Sequence, residues 1–365
     1  MQGWAARAQL PAFPWDRLVP YGDTARAHPD GIVDLSIGTP VDPTPAVVQQ
    51  ALRDAADAPG YPLTIGSPAL RQALVDWATR RLGASVSERH VLPSIGSKEL
   101  VALLPSLLGL TGQKILIPAL AYPTYDAGAR LAGCEPVPTD DPTGHDPAGV
   151  GLVWINSPSN PTGEVLAADR LKAVVDWGRR HGVLVASDEC YLELGWDTEP
   201  LSVLHPSVSG GSPDGVLALH SLSKRSNLAG YRAGFAVGDA QAVALVVEAR
   251  KHIGLLSPAP VQAATVAALA DDEHVAEQKE RYRARREVLR PAVEKAGFRI
   301  EHSEAGLYLW ATRDEDCWDT VAALAAQGVL VAPGAFYGAA GRRHVRLALT
   351  ATDERVAAAA ERLSI

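Results

Sequence analysis

The chain has 365 residues, 47% hydrophobic and 21% charged, which suffices for one large domain and a smaller one and excludes a mostly disordered polypeptide. A net charge of −8 excludes a general nucleic-acid or anionic-membrane surface, although a few local arginines can still bind an anionic small molecule. The three cysteines, Cys134, Cys190 and Cys317, lack CxxC spacing, so neither a disulfide framework nor a zinc site is indicated and a reducing cytosol is expected.

Residues 1–42 mix Pro and Trp without a long period and end in one strand candidate, 32–37, followed by Gly38-Thr39-Pro40. They read as an arm plus a strand. No stretch has the length of a leader or a membrane span; the longest apolar run, 100–110, is too short and contains Pro105. Pro43 and Pro45 open a helical pattern at 46–56. A Gly/Pro loop carrying Tyr61 and Gly66 then runs into an amphipathic helix at 68–82.

From residue 90, short apolar runs alternate with helical patterns. Strands are predicted at 90–95, 115–118, 151–155, 183–187 and 217–221, with helices at 98–110, 122–131 and 167–181. This is the pattern of a buried parallel sheet with right-handed crossovers, whose ligands sit at the carboxyl ends of the strands. Gly96, Asn156, Asp188 and Ser221 fall at those ends. A long helical region, 240–294, includes RYRARREVLR at 281–290; acids interleaved at helical spacing make that run a solvated helix face rather than an RNA patch. Strands at 298–301, 307–311, 329–332 and 344–349, with helices at 317–327 and 353–363, complete an α+β lobe.

Five elements carry chemistry. In HSLSKRSNLAGYRAG, Lys224 stands where a buried strand meets a loop, placed to form a Schiff base with a carbonyl. Arg232, between Gly230 and Gly234, can grip a phosphate that comes close. Pyridoxal phosphate (PLP) carries both groups, although a lysine after a strand is also commonly a surface residue. Gly96-Ser97-Lys98 forms a strand-to-helix turn suited to a phosphate, or simply a helix cap. In NSPSNPTG, two prolines hold Asn160 so that its amide can donate to a phenolate-type oxygen.

Asp188, in SDECY, can keep a pyridine nitrogen protonated, and Tyr191 can donate to the ring oxygen. An Asp188/Glu189 acid–base pair is disfavoured because neighbouring strand residues point to opposite faces, and Cys190 has no activating histidine placed by sequence. Arg346, inside the apolar run VRLAL, needs an anion, either a ligand or a structural partner. Tyr122, in AYPTY, can stack on a cofactor ring or pack on an apolar face. No Walker loop, GxSxG, HExxH or GxGxxG after a strand occurs.

In this order and spacing, GSK, AYPTY, NSPSNPTG, SDECY, SLSK, GYRAG and VRLAL resemble the class I/II aminotransferases of PLP fold type I over nearly the full length. The resemblance implies an α/β fold with a large domain, a mostly parallel seven-stranded sheet between helices, and a smaller α+β domain. The expected boundaries are 1–42 for the arm and part of the small domain, 43–280 for the large domain and 281–365 for the rest. It further implies that Lys224 carries the cofactor and moves the proton, that Asp188 pairs with the pyridinium, and that Asn160 and Tyr191 bind the ring oxygen. Gly96, Ser97, Lys98, Ser221 and Arg232 would hold the phosphate and Tyr122 would stack on the ring. Arg346 would clamp the substrate α-carboxylate, with Asn160 beside it and Gly38 over the substrate. Tyr61 would reach the phosphate of a partner subunit in a homodimer.

HSLSKRSNLAGYRAGF, GSKELVALLP and LPAFPWDRLVPY look most like actinobacterial N-succinyldiaminopimelate aminotransferases, with Arg225-Ser226-Asn227 departing from the general pattern toward that narrower group. The expected substrates are amino acids and 2-oxo acids, in the cytoplasm, with neither nucleic acid nor membrane as a partner. Other class I aminotransferases, a PLP β-lyase and a non-catalytic PLP-binding sensor are the alternatives.

Overall fold

The computed structural model describes residues 10–363. Its first strand, β1 (Val33–Asp34), is a short piece of the segment expected at 32–37. The next seven are β2 (Val91–Ile95), β3 (Lys114–Ile117), β4 (Glu135–Pro138), β5 (Val150–Asn156), β6 (Leu184–Asp188), β7 (Val216–Ser221) and β8 (Ala233–Gly238). They form one sheet in the order β2-β8-β7-β6-β5-β3-β4, parallel from β7 through β4, with β8 antiparallel to both its neighbours. Such strands are apolar throughout because helices cover both faces. Along them successive side chains feed two cores: Val153, Val185 and Ala218 pack on one face, and Leu152, Trp154, Ala186 and Leu217 on the other.

The helix Pro68–Leu82 shows why the flanking helices form where they do. Ser67 Oγ accepts the Leu70 backbone N–H at 3.2 Å, Pro68 occupies the first turn, and Gly83 ends the helix at φ +66°. Leu70, Leu74, Trp77 and Ala78 then share the face turned to the sheet.

Two strands were not visible in the periodicity. β4 reads EPVP, and proline normally signals a non-strand; it is tolerated here because β4 is an edge. β8 reads AGFAVG, whose glycines resemble a loop, yet all six of its residues are buried. The helical region expected over 240–294 is three helices, Ala240–Ile253, Ala259–Ala270 and Glu273–Lys295, broken after Gly254 and Pro258 and again at Asp271.

The second lobe carries β9 (Arg299–Glu301), β10 (Tyr308–Thr312), β11 (Val329–Leu330), β12 (Ala332–Pro333) and β13 (His344–Ala348). Four of these form an antiparallel sheet, β12-β13-β10-β9, while β11 leaves it to pair in parallel with β1, so the strand expected at 329–332 is divided between two sheets. Leu18, Val33 and Leu35 share a core with Trp310, Val345 and Leu347, which fastens the N-terminal segment to this lobe. Among the described residues no helix is long and apolar enough to cross a membrane.

Candidate active site

The register of β5 against β6 sets Asn156 beside Asp188 at the carboxyl end of the large sheet. Asn156 Nδ2 donates to the carbonyls of Asp188 (2.9 Å) and Pro158 (3.1 Å), and its Oδ1 accepts the Asn160 N–H at 2.7 Å. One side chain thus folds the NSPSNPTG loop back over its own strand. Asn160 is delivered, buried, beside the strand ends.

Asp188 is buried. Its Oδ2 accepts the Tyr125 hydroxyl at 2.9 Å and its Oδ1 the Cys190 N–H at 3.2 Å. Burial raises its pKa, and these hydrogen bonds together with the Lys224 charge oppose the rise. A carboxylate in such a setting calls for a positive partner. Tyr125, the second tyrosine of AYPTY, escaped the sequence reading; burial and then Asp188 push its hydroxyl well above the ordinary range, so it remains a donor. Tyr122 packs edge-on to it, ring centroids 6.2 Å apart.

Two alternatives close here. A nucleophilic Cys190 is disfavoured: burial and then the Asp188 charge push its thiol well above the ordinary range, and its Sγ donates to Ser97 Oγ at 3.0 Å. Glu189 serves the scaffold, its Oε1 accepting the Val203 N–H at 2.8 Å and its Oε2 lying 3.6 Å from His220 Nε2.

The glycine-lined end of the site is built by β2, β8 and the turns that extend them. Gly96, at φ +69°, precedes the helix Ser97–Leu107, and any Cβ on it would overlap the Arg232 guanidinium. A Cβ on Gly234 would meet the Ser97 N–H at 2.8 Å. Arg232, held by an Nη1 donation of 2.9 Å to Ala229 O, therefore lies against an open turn of backbone amides. Ser221 caps the short helix Leu222–Arg225, accepting the Ser223 N–H at 3.2 Å, and that helix presents Lys224, the one of its four residues that is not buried. The Lys98 ammonium sits 5.7 Å from the Tyr122 ring centroid.

Arg346 reaches across from the second lobe. β10 and β12 flank it in register at Trp310 and Ala332, which fixes the strand that carries it. Its Nη1 donates to Asn160 Oδ1 at 2.8 Å and its Nη2 to Ser36 O at 2.7 Å, while the buried Nε has no hydrogen-bond partner among the described residues. The guanidinium lies 3.8 Å from the Tyr308 ring centroid and 5.0 Å from that of Tyr337. The Tyr308 hydroxyl shares a 3.0 Å hydrogen bond with that of Tyr191, and a Cβ on Gly38 would overlap the same hydroxyl. Ser36, Tyr308 and Tyr337 are further residues the sequence reading missed; nothing marks them until β10 and β13 are paired. Tyr61 is 97% exposed and stands apart from this cluster within the chain.

The residues present fit PLP. A buried carboxylate suits a pyridinium, the Gly96/Gly234 cradle beside Arg232 suits a phosphate, and Lys224 is an amine at the mouth between them. The model for "Aminotransferase class I and II" matches residues 30–363.

The chain belongs to the class I and II aminotransferases.

Its cofactor is PLP and its fold is fold type I. The chain is 57% identical to the 4-dedimethylamino-4-oxo-anhydrotetracycline transaminase OxyQ of Streptomyces rimosus, over 98% of this chain and 99% of that one. It is 59% identical to the probable aminotransferase Rv1178 of Mycobacterium tuberculosis, over 98% and 86%. Among solved structures it is similar to a probable N-succinyldiaminopimelate aminotransferase from Thermus thermophilus, with a TM-score of 0.86 and 29% identity over 96% and 99%.

Proposed function

We propose that this aminotransferase exchanges nitrogen between glutamate/2-oxoglutarate and N-succinyl-L,L-2,6-diaminopimelate and its 2-oxo acid, as a cytoplasmic homodimer in which Tyr61 completes the partner's site. The observation that carries the reading is Arg346: a buried guanidinium, steadied by Asn160 and Ser36, that keeps N–H groups for a substrate carboxylate. PLP, when bound, supplies an electron sink for the substrate Cα–H. Lys224 would hold the cofactor and, as a free amine, would move the proton at the substrate Cα. Asp188 keeps the ring nitrogen protonated, with Tyr125 fixing its carboxylate. Asn160 has its Oδ1 committed to Arg346, which leaves Nδ2 as the group that would donate to the ring oxygen, with Tyr191 as the second donor.

Ser97, Lys98, Ser221 and Arg232, with Gly96, would hold the phosphate, Tyr122 would pack on the ring, and Gly38 would leave room for the substrate. The N-succinyldiaminopimelate assignment draws on the likeness to the Thermus protein and on the run Arg225-Ser226-Asn227. Those three residues do not themselves belong to the site: Ser226 Oγ bonds His274 at 2.8 Å and Asn227 Nδ2 donates to Gln278 Oε1 at 2.9 Å, both on the helix Glu273–Lys295. They therefore speak for kinship rather than contact. A second reading, an amino transfer like the one OxyQ is named for, is favoured by the 57% identity to that protein.

The test begins with an absorbance spectrum of the purified protein, then borohydride reduction and peptide mapping, where a label away from Lys224 rejects the site. Turnover of N-succinyldiaminopimelate with 2-oxoglutarate is then compared with that of other donors. Turnover no better than for aromatic amino acids or alanine, or pyruvate release from sulfur amino acids, rejects the substrate assignment.

A further inference from the structure

A cavity of about 300 Å³ lies between the C-terminal end of the helix Pro68–Leu82, the loop after β6 and the first turns of the helix Glu273–Lys295. None of its lining residues belongs to the site described above. The apolar part of the lining is aliphatic, with Leu82, Leu192, Leu201 and Val275. The charged part carries both signs. Arg81 Nη2 lies 3.2 Å from Glu193 Oε1, and Asp272 pairs with Arg80 at the same distance, so these charges are matched within the chain. Lys279 and Glu199 also line the cavity, and neither makes an ion pair or a side-chain hydrogen bond among the described residues.

We infer that this cavity is a second ligand site that takes a small zwitterionic amino acid with an aliphatic side chain, its carboxylate on Lys279 and its ammonium on Glu199. A simple anion would gain Lys279 and face Glu199; a simple cation would meet the reverse. Lys279 is half-buried and Glu199 exposed, so a ligand with both charges gains from each without facing a like charge, and the volume, at the low end for small-molecule pockets, suits a molecule of that size. One wall residue of the cavity is also tied to the lysine loop by a buried ion pair. Glu193, on the cavity wall, has its other oxygen, Oε2, 2.5 Å from the Nε of Arg225, the residue after Lys224. Arg225 is buried and none of its side-chain nitrogens has a hydrogen-bond partner among the described residues, so the Glu193 charge is its counterweight.

The inference shares no residue with the substrate assignment and is tested apart from it. The PLP-loaded enzyme is titrated with L-leucine by calorimetry while cofactor absorbance follows the active site. The expected result is one saturable heat component per chain with no counterpart in absorbance. Lys279→Met and Glu199→Gln should each weaken that component at least about tenfold, the loss of one charge-assisted bond, and leave the absorbance change with glutamate unaltered. Isovalerate and isoamylamine, which each lack one charge, should bind at least as much more weakly. The inference is overturned if all heat tracks the absorbance, if either variant keeps full affinity, or if a one-charge analogue binds as well as leucine.

Discussion

Replacing Arg346 by alanine tests the substrate clamp directly. A guanidinium offers five N–H donors; two are spent on Asn160 and Ser36, which leaves Nε–H and one further N–H on each Nη for a carboxylate. A carboxylate gripped by two of these loses about 1.5–3 kcal/mol per bond in the variant, or about 3–6 kcal/mol together. That corresponds to a fall in kcat/KM of about 10²- to 10⁴-fold. On the proposed assignment, in which glutamate and the second amino donor use the same clamp, the loss should appear in both half-reactions. Arg346→Lys should recover only part of it, because an ammonium on a flexible stem cannot keep the Asn160 and Ser36 bonds and grip a fork together. Single-turnover mixing with glutamate, and separately with the diaminopimelate derivative, read by cofactor absorbance, gives both rate constants. Unchanged kcat/KM for both substrates in Arg346→Ala, with the cofactor still bound, would refute the clamp and the function built on it.

Gly38→Ala should displace the Tyr308 hydroxyl, break its bond to Tyr191 and disturb the ring under Arg346; steady-state kinetics should show a fall of at least about tenfold in kcat/KM with little change in melting temperature. Tyr125→Phe removes a hydrogen bond that holds the Asp188 pKa down, so that pKa rises further and the acid limb of the pH–rate profile should move to higher pH; an unmoved limb would separate Tyr125 from Asp188 function. Burial raises Glu189 to about 7 from 4.5. The folded state therefore holds a proton that the unfolded chain releases, and stability falls as pH rises through that window, by about 3 kcal/mol in all. His220, lowered by burial to about 3 from 6.5, works in the opposite sense: the unfolded chain takes up a proton first, and stability falls as pH drops below 6.5. Glu189→Gln should thus raise the melting temperature more at pH 8 than at pH 5, measured by scanning calorimetry, and an equal gain at both would contradict the buried-acid account.

Much of the fold was legible because burial on both faces writes β5, β6 and β7 as continuous apolar runs, and because Asn156, Asp188 and Ser221 interrupt them at one end of the sheet. β8 was hidden for a physical reason. Its glycines are dictated by the close approach of Ser94, Gly96 and Val216, so close packing removed the side chains that would have revealed a strand. The site divides in the same way. Asp188, Asn160 and Lys224 stand at strand ends within recognisable strings, whereas Ser36 acts through its carbonyl and Tyr308 through a neighbour two strands' pairing away. A backbone acceptor leaves no trace in residue type, and a cross-lobe contact leaves none in spacing. Arg225 to Asn227 show the converse: a distinctive string that the fold uses to tie the lysine loop to a helix.

The antiparallel β7–β8 pair also bears on the order in which the molecule comes together. Ser221 pairs with Gly234, so Lys224 and Arg232 lie in one loop whose two ends close against each other over a short stretch of chain. Closing so short a loop costs little chain entropy, whereas the Arg346 bonds to Asn160 and Ser36 join residues 186 and 310 positions apart. Two of the proposed cofactor anchors, Lys224 and Arg232, thus belong to a locally encoded hairpin, whereas the proposed substrate clamp joins residues far apart in the chain. During refolding with PLP present, borohydride-trappable cofactor should therefore accumulate before the protein can react with glutamate, making cofactor capture an early event and substrate recognition a late one.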